Sequence, residues 1–152
     1  MAEIAFRRAE KADVATIVTM LADDMLASSR EDTSGPLAEA YRKAFEAVDA
    51  DPNQLLAVMT EAGRVIGTLQ LTFIAGLSRK GALRGQIEAV RVIRDRQSAG
   101  LGRKMVEWAV DQCRKRGCVI VQLTTDSSRH DAHRFYERLG FKQTHLGYKI
   151  DL

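Results

Sequence analysis

The sequence predicts an α/β fold built on a mixed central sheet, and three observations carry that reading. Amphipathic helical stripes alternate with strand-like runs along nearly the whole chain. The run "CVIVQLTT" (118–125) is almost continuously apolar, as a central strand covered on both faces would be. One helix separates it from the strand "QIEAVRVI" (86–93), and a strand, helix, strand succession of this length is a right-handed crossover between parallel neighbours.

The opening "EIAFRRA" alternates as a first strand, and the next segment sets Val14, Ile17, Val18, Leu21 and Met25 on one helical stripe. After the polar breaker "SSREDTSGP", a second helix carries Leu37, Ala40, Tyr41, Ala44, Phe45 and Val48 and stops before Asp51-Pro52. The strands "QLLAVMTE" and "RVIGTLQLTFIAG" flank Ala62-Gly63, a hairpin signal. A basic, glycine-rich loop, "GLSRKGALRG", leads to the strand at 86–93. Leu101, Met105, Trp108, Ala109 and Gln112 then describe a helix ending at Gly117. The last helix, "SRHDAHRFYERL", puts Ala132, Phe135, Tyr136 and Leu139 on one side, with Ser128 and Asp131 in capping-box positions. "GFKQTHLGYKIDL" reads as a closing hairpin.

At 152 residues the chain suits a single domain, 1–152, with no internal repeat or linker. The 23 basic and 20 acidic residues are spread evenly, which is not the footprint of a nucleic-acid binder. Three tyrosines and one tryptophan offer little for base stacking. Cys113 and Cys118, the two cysteines, lie among apolar residues, so buried thiols in a reducing compartment are expected and a metal cluster is not. The first residues mix acids into the apolar ones, unlike a signal peptide or a membrane span, and a cytosolic protein is expected.

The segment "RDRQSAGLGRKMV" (94–106) is the chemically odd one. A helix start carries positive partial charge, yet Arg94, Arg96, Arg103 and Lys104 crowd it and no acid occurs between Asp95 and Glu107. Gly100 and Gly102 weaken the first turn by about 0.5–1 kcal/mol each relative to alanine. An anion docked on the exposed N–H groups accounts for both features. The alternative is a tight turn with solvated charges. The spacing fits neither the phosphate loop of nucleotide hydrolases nor the dinucleotide fingerprint, whose third glycine would stand where Met105 does.

"QSAGLG" (97–102) matches the Q/R-x-x-G-x-G/A pattern of the GNAT acetyltransferase superfamily, placed after a strand containing Val90 and Val92. "AHRFYERLGF" (132–141) resembles the same family's A-x-x-F-Y-x-x-x-G-F segment. The resemblance covers nearly the whole chain. It implies a mixed sheet of six to seven strands with about four helices, acetyl-CoA being held where two central parallel strands splay apart. It places Gln97, Ala99, Gly100, Gly102 and Arg103 on the pyrophosphate loop, the backbone of Val90 and Val92 along the pantetheine arm, and Tyr136 near the thioester sulfur. Many members have Asn where this chain has Arg129. That puts an Asn-type contact in doubt and leaves Arg129 either reaching a phosphate or standing exposed at a helix start.

Acetyl transfer to an amine requires removal of an ammonium proton, stabilisation of the carbonyl oxygen and a proton for the departing thiolate. Glu88 is the candidate base: on a regular strand it shares a face with Val90 and Val92, and the resemblance supports a glutamate here. Its alternative is a cross-strand partner for an arginine. Tyr136 is the candidate proton donor, its alternative a core residue of the helix stripe, and a backbone N–H near Val92 is the candidate oxyanion donor. His130, His133 and His145 lack metal spacing, and His145 is a candidate for substrate contact. Asp23, Asp24, Glu31 and Asp32 form an acidic loop, either solvated or facing a cationic acceptor. The reading is therefore an acetyl-CoA dependent N-acetyltransferase acting on a small primary amine or an amino-acid-like acceptor, with no nucleic-acid or membrane partner and with homodimerisation possible. The alternatives are a protein N-terminal or lysine acetyltransferase and a non-catalytic acyl-CoA sensing module.

Overall fold

The structure, a computed structural model, describes residues 2–24 and 29–152; Met25 of the first stripe lies outside the described residues. The chain divides into two compact units, one ending at Gln122 and the other starting at Leu123. Five strands, β1 (Ile4–Arg8), β2 (Gln54–Glu61), β3 (Arg64–Ile74), β4 (Arg84–Val92) and β5 (Ile120–Leu123), lie side by side in chain order. Among the described residues five helices accompany them: α1 (Val14–Ala22), α2 (Glu39–Ala50), a distorted single turn α3 (Ser78–Gly81), α4 (Leu101–Lys115) and α5 (His130–Arg138). None of the described helices is long and apolar enough to cross a membrane.

The first four strands are antiparallel. Ala62 (φ 49°) and Gly63 (φ 82°) join β2 to β3, the paired left-handed residues that match the twist of a tight hairpin. β5 runs parallel to β4. Val119 N–H donates to Leu83 O (3.0 Å), and further along both strands Gln122 Nε2 donates to Gln86 Oε1 (2.9 Å). The sheet is thus mixed.

Two expectations are corrected. Among the described residues the sheet has five strands, not six to seven, because residues 141–152 form no strand: Leu146, Tyr148 and Ile150 alternate as expected but are 72%, 89% and 86% exposed. Alternation alone defines no strand when neither face is covered. β5 lies at the edge of this sheet and its residues are half-buried, so its apolar run does not mark a central strand covered on both faces.

Pleating sends alternate residues to opposite faces. On one face Val58 packs with Ala9, Ile17 and Met20, joined by Leu21, Phe45 and Leu56, so α1 and α2 cover it. The opposite face receives α4. Phe6 stacks on Trp108 at 5.1 Å, and a Cβ at Gly85 would run into Cys113 Sγ, so glycine there lets helix and sheet approach closely. Cys113 and Cys118 are free, and burial, with a further contribution from Cys118, pushes the Cys113 thiol up to about 12.

Asp13 fixes the entry to α1. Its carboxylate accepts from Arg7 Nη1 (2.7 Å), Arg7 Nη2 (3.1 Å) and the Glu10 N–H (2.7 Å), and the Glu10 side chain caps in return. The Arg7 hydrogen bond, foremost, holds the carboxyl below its ordinary 3.8. A depressed value stabilises the fold fully above the ordinary range, and that stabilisation is lost as pH falls through the depressed value. Asp13→Asn is expected to cost about 1–2 kcal/mol at neutral pH, a gap that narrows on acidification below about pH 4. Thermal unfolding of both proteins across that range checks it; a constant gap would assign the loss to packing.

Candidate functional site

After Val92 the chain makes a 3-10 turn over Arg94–Arg96, extends at Gln97, and passes through Ser98 (φ 68°) and Gly100 (φ 75°) into α4. Gln97 Nε2 donates to Val92 O (3.0 Å), tying the loop to the strand end. Gly100 is the N-cap residue, no side chain caps this end, and Lys104 N–H closes back on Gly100 O at 3.3 Å. The N–H groups ahead of Lys104 therefore form an uncapped, positively polarised cradle around Gly102 and Arg103.

The arginines stand differently from the expectation that they neutralise an anion. Arg94 pairs with Asp23 (2.5 Å), Arg96 with Glu61 (2.6 Å) and Arg103 with Glu107 (2.7 Å). Asp23 and Glu61 are distant in sequence, so the local run of basic residues concealed them. Among the described residues Lys104 alone of the four basic side chains at this turn has no carboxylate partner.

β4 carries a bulge. Glu88 lies opposite Gln70, but Arg91 lies opposite Thr68, so β4 spends one extra residue there, and Ala89 takes φ 55°. Gln70 and Thr68 share a face of β3, hence Glu88 shares its face with Arg91 and not with Val92. This corrects the expected alignment of Glu88 with Val90 and Val92, which presumed unbroken alternation. Glu88 is exposed, and its neighbour along the strand is polar: Gln86 Nε2 donates to Glu88 Oε1 at 2.5 Å. β5 ends at Leu123, one residue past Gln122, whereas β4 continues to Val92.

The face that holds Glu88 is polar beyond it. Arg84 Nη1 donates to Gln122 Oε1 (3.0 Å), and Gln54 Oε1 accepts from Gln70 Nε2 and Thr72 Oγ1, each at 2.9 Å. Sequence reasoning missed these residues. Their trace was the period-two series Arg84, Gln86, Glu88 and the pair Gln70, Thr72, but β2, β3, β4 and β5 contribute one to three residues each and only pairing assembles them.

The acidic loop is occupied internally. Asp24 pairs with Arg91 (3.3 Å), Glu31 Oε2 accepts from Tyr41 Oη (3.0 Å), and Asp32 Oδ1 accepts from Ser34 Oγ (2.6 Å). These contacts tie the carboxylates to neighbouring side chains, which speaks against capture of a cationic acceptor.

In the second unit, Arg129 is the N-cap residue of α5 and lines a shallow pocket with Ser128, His130, Asp131 and Ala132. The expected capping box is absent: Ser128 Oγ donates to Asp126 (2.5 Å), and Asp131 pairs with Arg134. Ser128 thereby holds the Asp126 carboxyl below its ordinary range. Tyr136 is half-buried, edge-on to Phe135 (5.0 Å) and Phe141 (5.8 Å). His133 Nε2 contacts Asp126 O at 2.9 Å, and His145 Nδ1 contacts Thr144 Oγ1 at 2.6 Å.

A family model described as the acetyltransferase (GNAT) family matches residues 20–141. An aminoalkylphosphonate N-acetyltransferase of Salmonella typhimurium is 32% identical over 71% of this chain and 70% of its own length. A glucosamine 6-phosphate N-acetyltransferase of Trypanosoma brucei brucei is 34% identical over 59% of each chain. Among solved structures, a Bacillus halodurans C-125 protein named a transcriptional regulator superposes with a TM-score of 0.95 at 40% identity, covering 99% of this chain and 100% of that one.

Proposed function

The chain belongs to the GNAT acetyltransferase family, and from that premise we propose that it moves the acetyl group of acetyl-CoA to the primary amine of a small molecule. The observation that carries this reading is the uncapped start of α4, directly after a bulged strand that presents a carboxylate. The names of the two curated relatives support a small acceptor, and both describe an amine that also bears a phosphonate or phosphate.

Acetyl-CoA, when bound, supplies an acetyl group activated as a thioester. The residues of this chain do the rest. Amides of the turn formed by Gln97, Ala99, Gly100, Gly102 and Arg103 receive the pyrophosphate on the positive end of α4, with Lys104 adding charge. The backbone of Val90 and Val92, past the end of β5, holds the pantetheine arm as an added strand would be held. Glu88 Oε accepts the proton of the incoming ammonium, directly or through water, and a backbone N–H near Val92 steadies the carbonyl oxygen. Tyr136 Oη donates a proton to the departing sulfur, and Arg129 reaches a phosphate where many members have Asn. We read 1–152 as one domain working in the cytosol without a metal.

A screen of amines, polyamines, amino acids and peptides that follows release of free CoA tests the proposal. Turnover of small amines and none of peptides is expected. Turnover confined to peptide amines would replace the small-molecule reading with protein acetylation. CoA binding without turnover on any amine would favour an acyl-CoA sensing module, the direction in which the name of the Bacillus halodurans relative leans.

A further inference from the structure

Arg84, Gln122, Gln86 and Glu88 form one hydrogen-bonded row across β4 and β5. Arg84 Nη1 donates to Gln122 Oε1 (3.0 Å), Gln122 Nε2 to Gln86 Oε1 (2.9 Å), and Gln86 Nε2 to Glu88 Oε1 (2.5 Å). Each amide thus turns its oxygen toward the cation and its nitrogen toward the carboxylate, so the row is polarised from end to end. The register puts Arg84, Gln86 and Glu88 opposite Ile74, Thr72 and Gln70, on one face of the sheet. Every side chain of the row is at least partly open to solvent.

Arg84 differs from the other strand arginines. Arg7, Arg8, Arg64 and Arg91 each lie within 4.0 Å of a carboxylate, on Asp13, Asp49, Asp95 and Asp24 respectively. Among the described residues Arg84 has none and is held by the neutral Gln122. A guanidinium carries five N–H donors in a planar fork, so most of its donors are left for a ligand on that face.

We propose that Arg84 recognises an anionic group on the acceptor, and, since the names of both curated relatives pair an amine with a phosphonate or phosphate, that the acceptor is an amine bearing one of these groups. The proposal rests on Glu88 receiving the amine proton. It adds the second anchor: the fork of Arg84 pairs with two phosphoryl oxygens while the amine stands at Glu88. The two Cα atoms are about 13 Å apart along the strand, and a short zwitterion together with the two side chains spans that distance.

The test compares kcat/KM for aminoethylphosphonate and for propylamine, which has the amine and no anion, in wild type, Arg84→Gln, Arg84→Lys and Arg64→Gln. Wild type is expected to prefer the phosphonate. Arg84→Gln should reduce that preference roughly 10- to 100-fold, chiefly through KM, the worth of a charge-assisted pair. Arg84→Lys, which keeps charge without the fork, should fall between and serves as the test if Arg84→Gln does not fold. Arg64→Gln, whose arginine already has a carboxylate, should keep the preference. Equal loss on both amines would overturn the proposal and leave Arg84 as an organiser of the row, and so would an unchanged preference in Arg84→Gln. Failure of wild type to acetylate either amine, or any other, would instead overturn the small-molecule transferase reading.

Discussion

Gly102→Asp is expected to abolish the rise in melting temperature that CoA gives the wild-type protein, without weakening the free protein. Ligand at one hundred times its dissociation constant stabilises a fold by about 2.7 kcal/mol, on the order of 5–10 °C for a domain of this size. The free variant should be at least as stable as wild type, because residue 102 stands in the first turn of α4. There Asp replaces a residue that is a poorer helix former by about 0.1–0.3 kcal/mol, and it faces the positive end of the helix, a gain of about 0.3–1 kcal/mol. What stabilises the empty helix repels its ligand: the new carboxylate occupies the position proposed for the phosphates and cancels the polarity that drew them. The opposed signs separate an anion cradle from a tight turn, which would lose nothing with CoA present. Thermal melts with and without saturating CoA decide it, and a full CoA-induced shift in a folded Gly102→Asp protein would remove the pyrophosphate assignment.

The parts of the site legible in the sequence are those that short-range physics determines. Gly100 and Gly102 without a nearby acid marked an uncapped helix start, and α4 begins at Leu101 without a side-chain cap. Gly117, expected just past the helix, has φ 85°. The β2–β3 hairpin was legible for the same reason, since Ala62-Gly63 couples turn and strands locally. What was hidden depends on distant pairing. Arg94 and Arg96 looked unpartnered because their carboxylates, Asp23 and Glu61, lie 71 and 35 residues away. The bulge at Ala89 was equally hidden, for nothing in "EAVRV" requires one residue to leave the extended region; only the register against β3 reveals it, and it decides which side chains stand beside Glu88. The polar row needed β4 and β5 in register before Arg84 and Gln122 could be read together. The tail from Phe141 shows the reverse case, a local alternation that no covered face turns into a strand.

Glu88→Gln is expected to lower kcat by about 10² to 10⁴ fold, the usual worth of a positioned proton acceptor, with CoA binding unchanged. Glutamine keeps the size of the side chain, and its oxygen still accepts from Gln86 Nε2, now at 2.5 Å from Glu88, so the row stays intact and only basicity is removed. Glu88 is exposed and sits where the strand bulges, so the substitution empties no core position and a stability loss is not the expected outcome. The defect should shrink as pH rises from about 6 to about 10, because more of the amine then arrives without the proton Glu88 would take. Tyr136→Phe keeps the ring against Phe135 and Phe141 and removes the hydroxyl alone. Its kcat should fall too, but the defect should follow the donor: an acyl thioester whose thiol is more acidic leaves without a proton and should restore most of the rate. Steady-state rates across this pH range, on the best amine from the screen and with both donors, measure the two effects separately. Wild-type kcat in Glu88→Gln would take Glu88 out of the mechanism and route the proton through water, whereas an equal Tyr136→Phe defect with both donors would make the hydroxyl a packing or binding group.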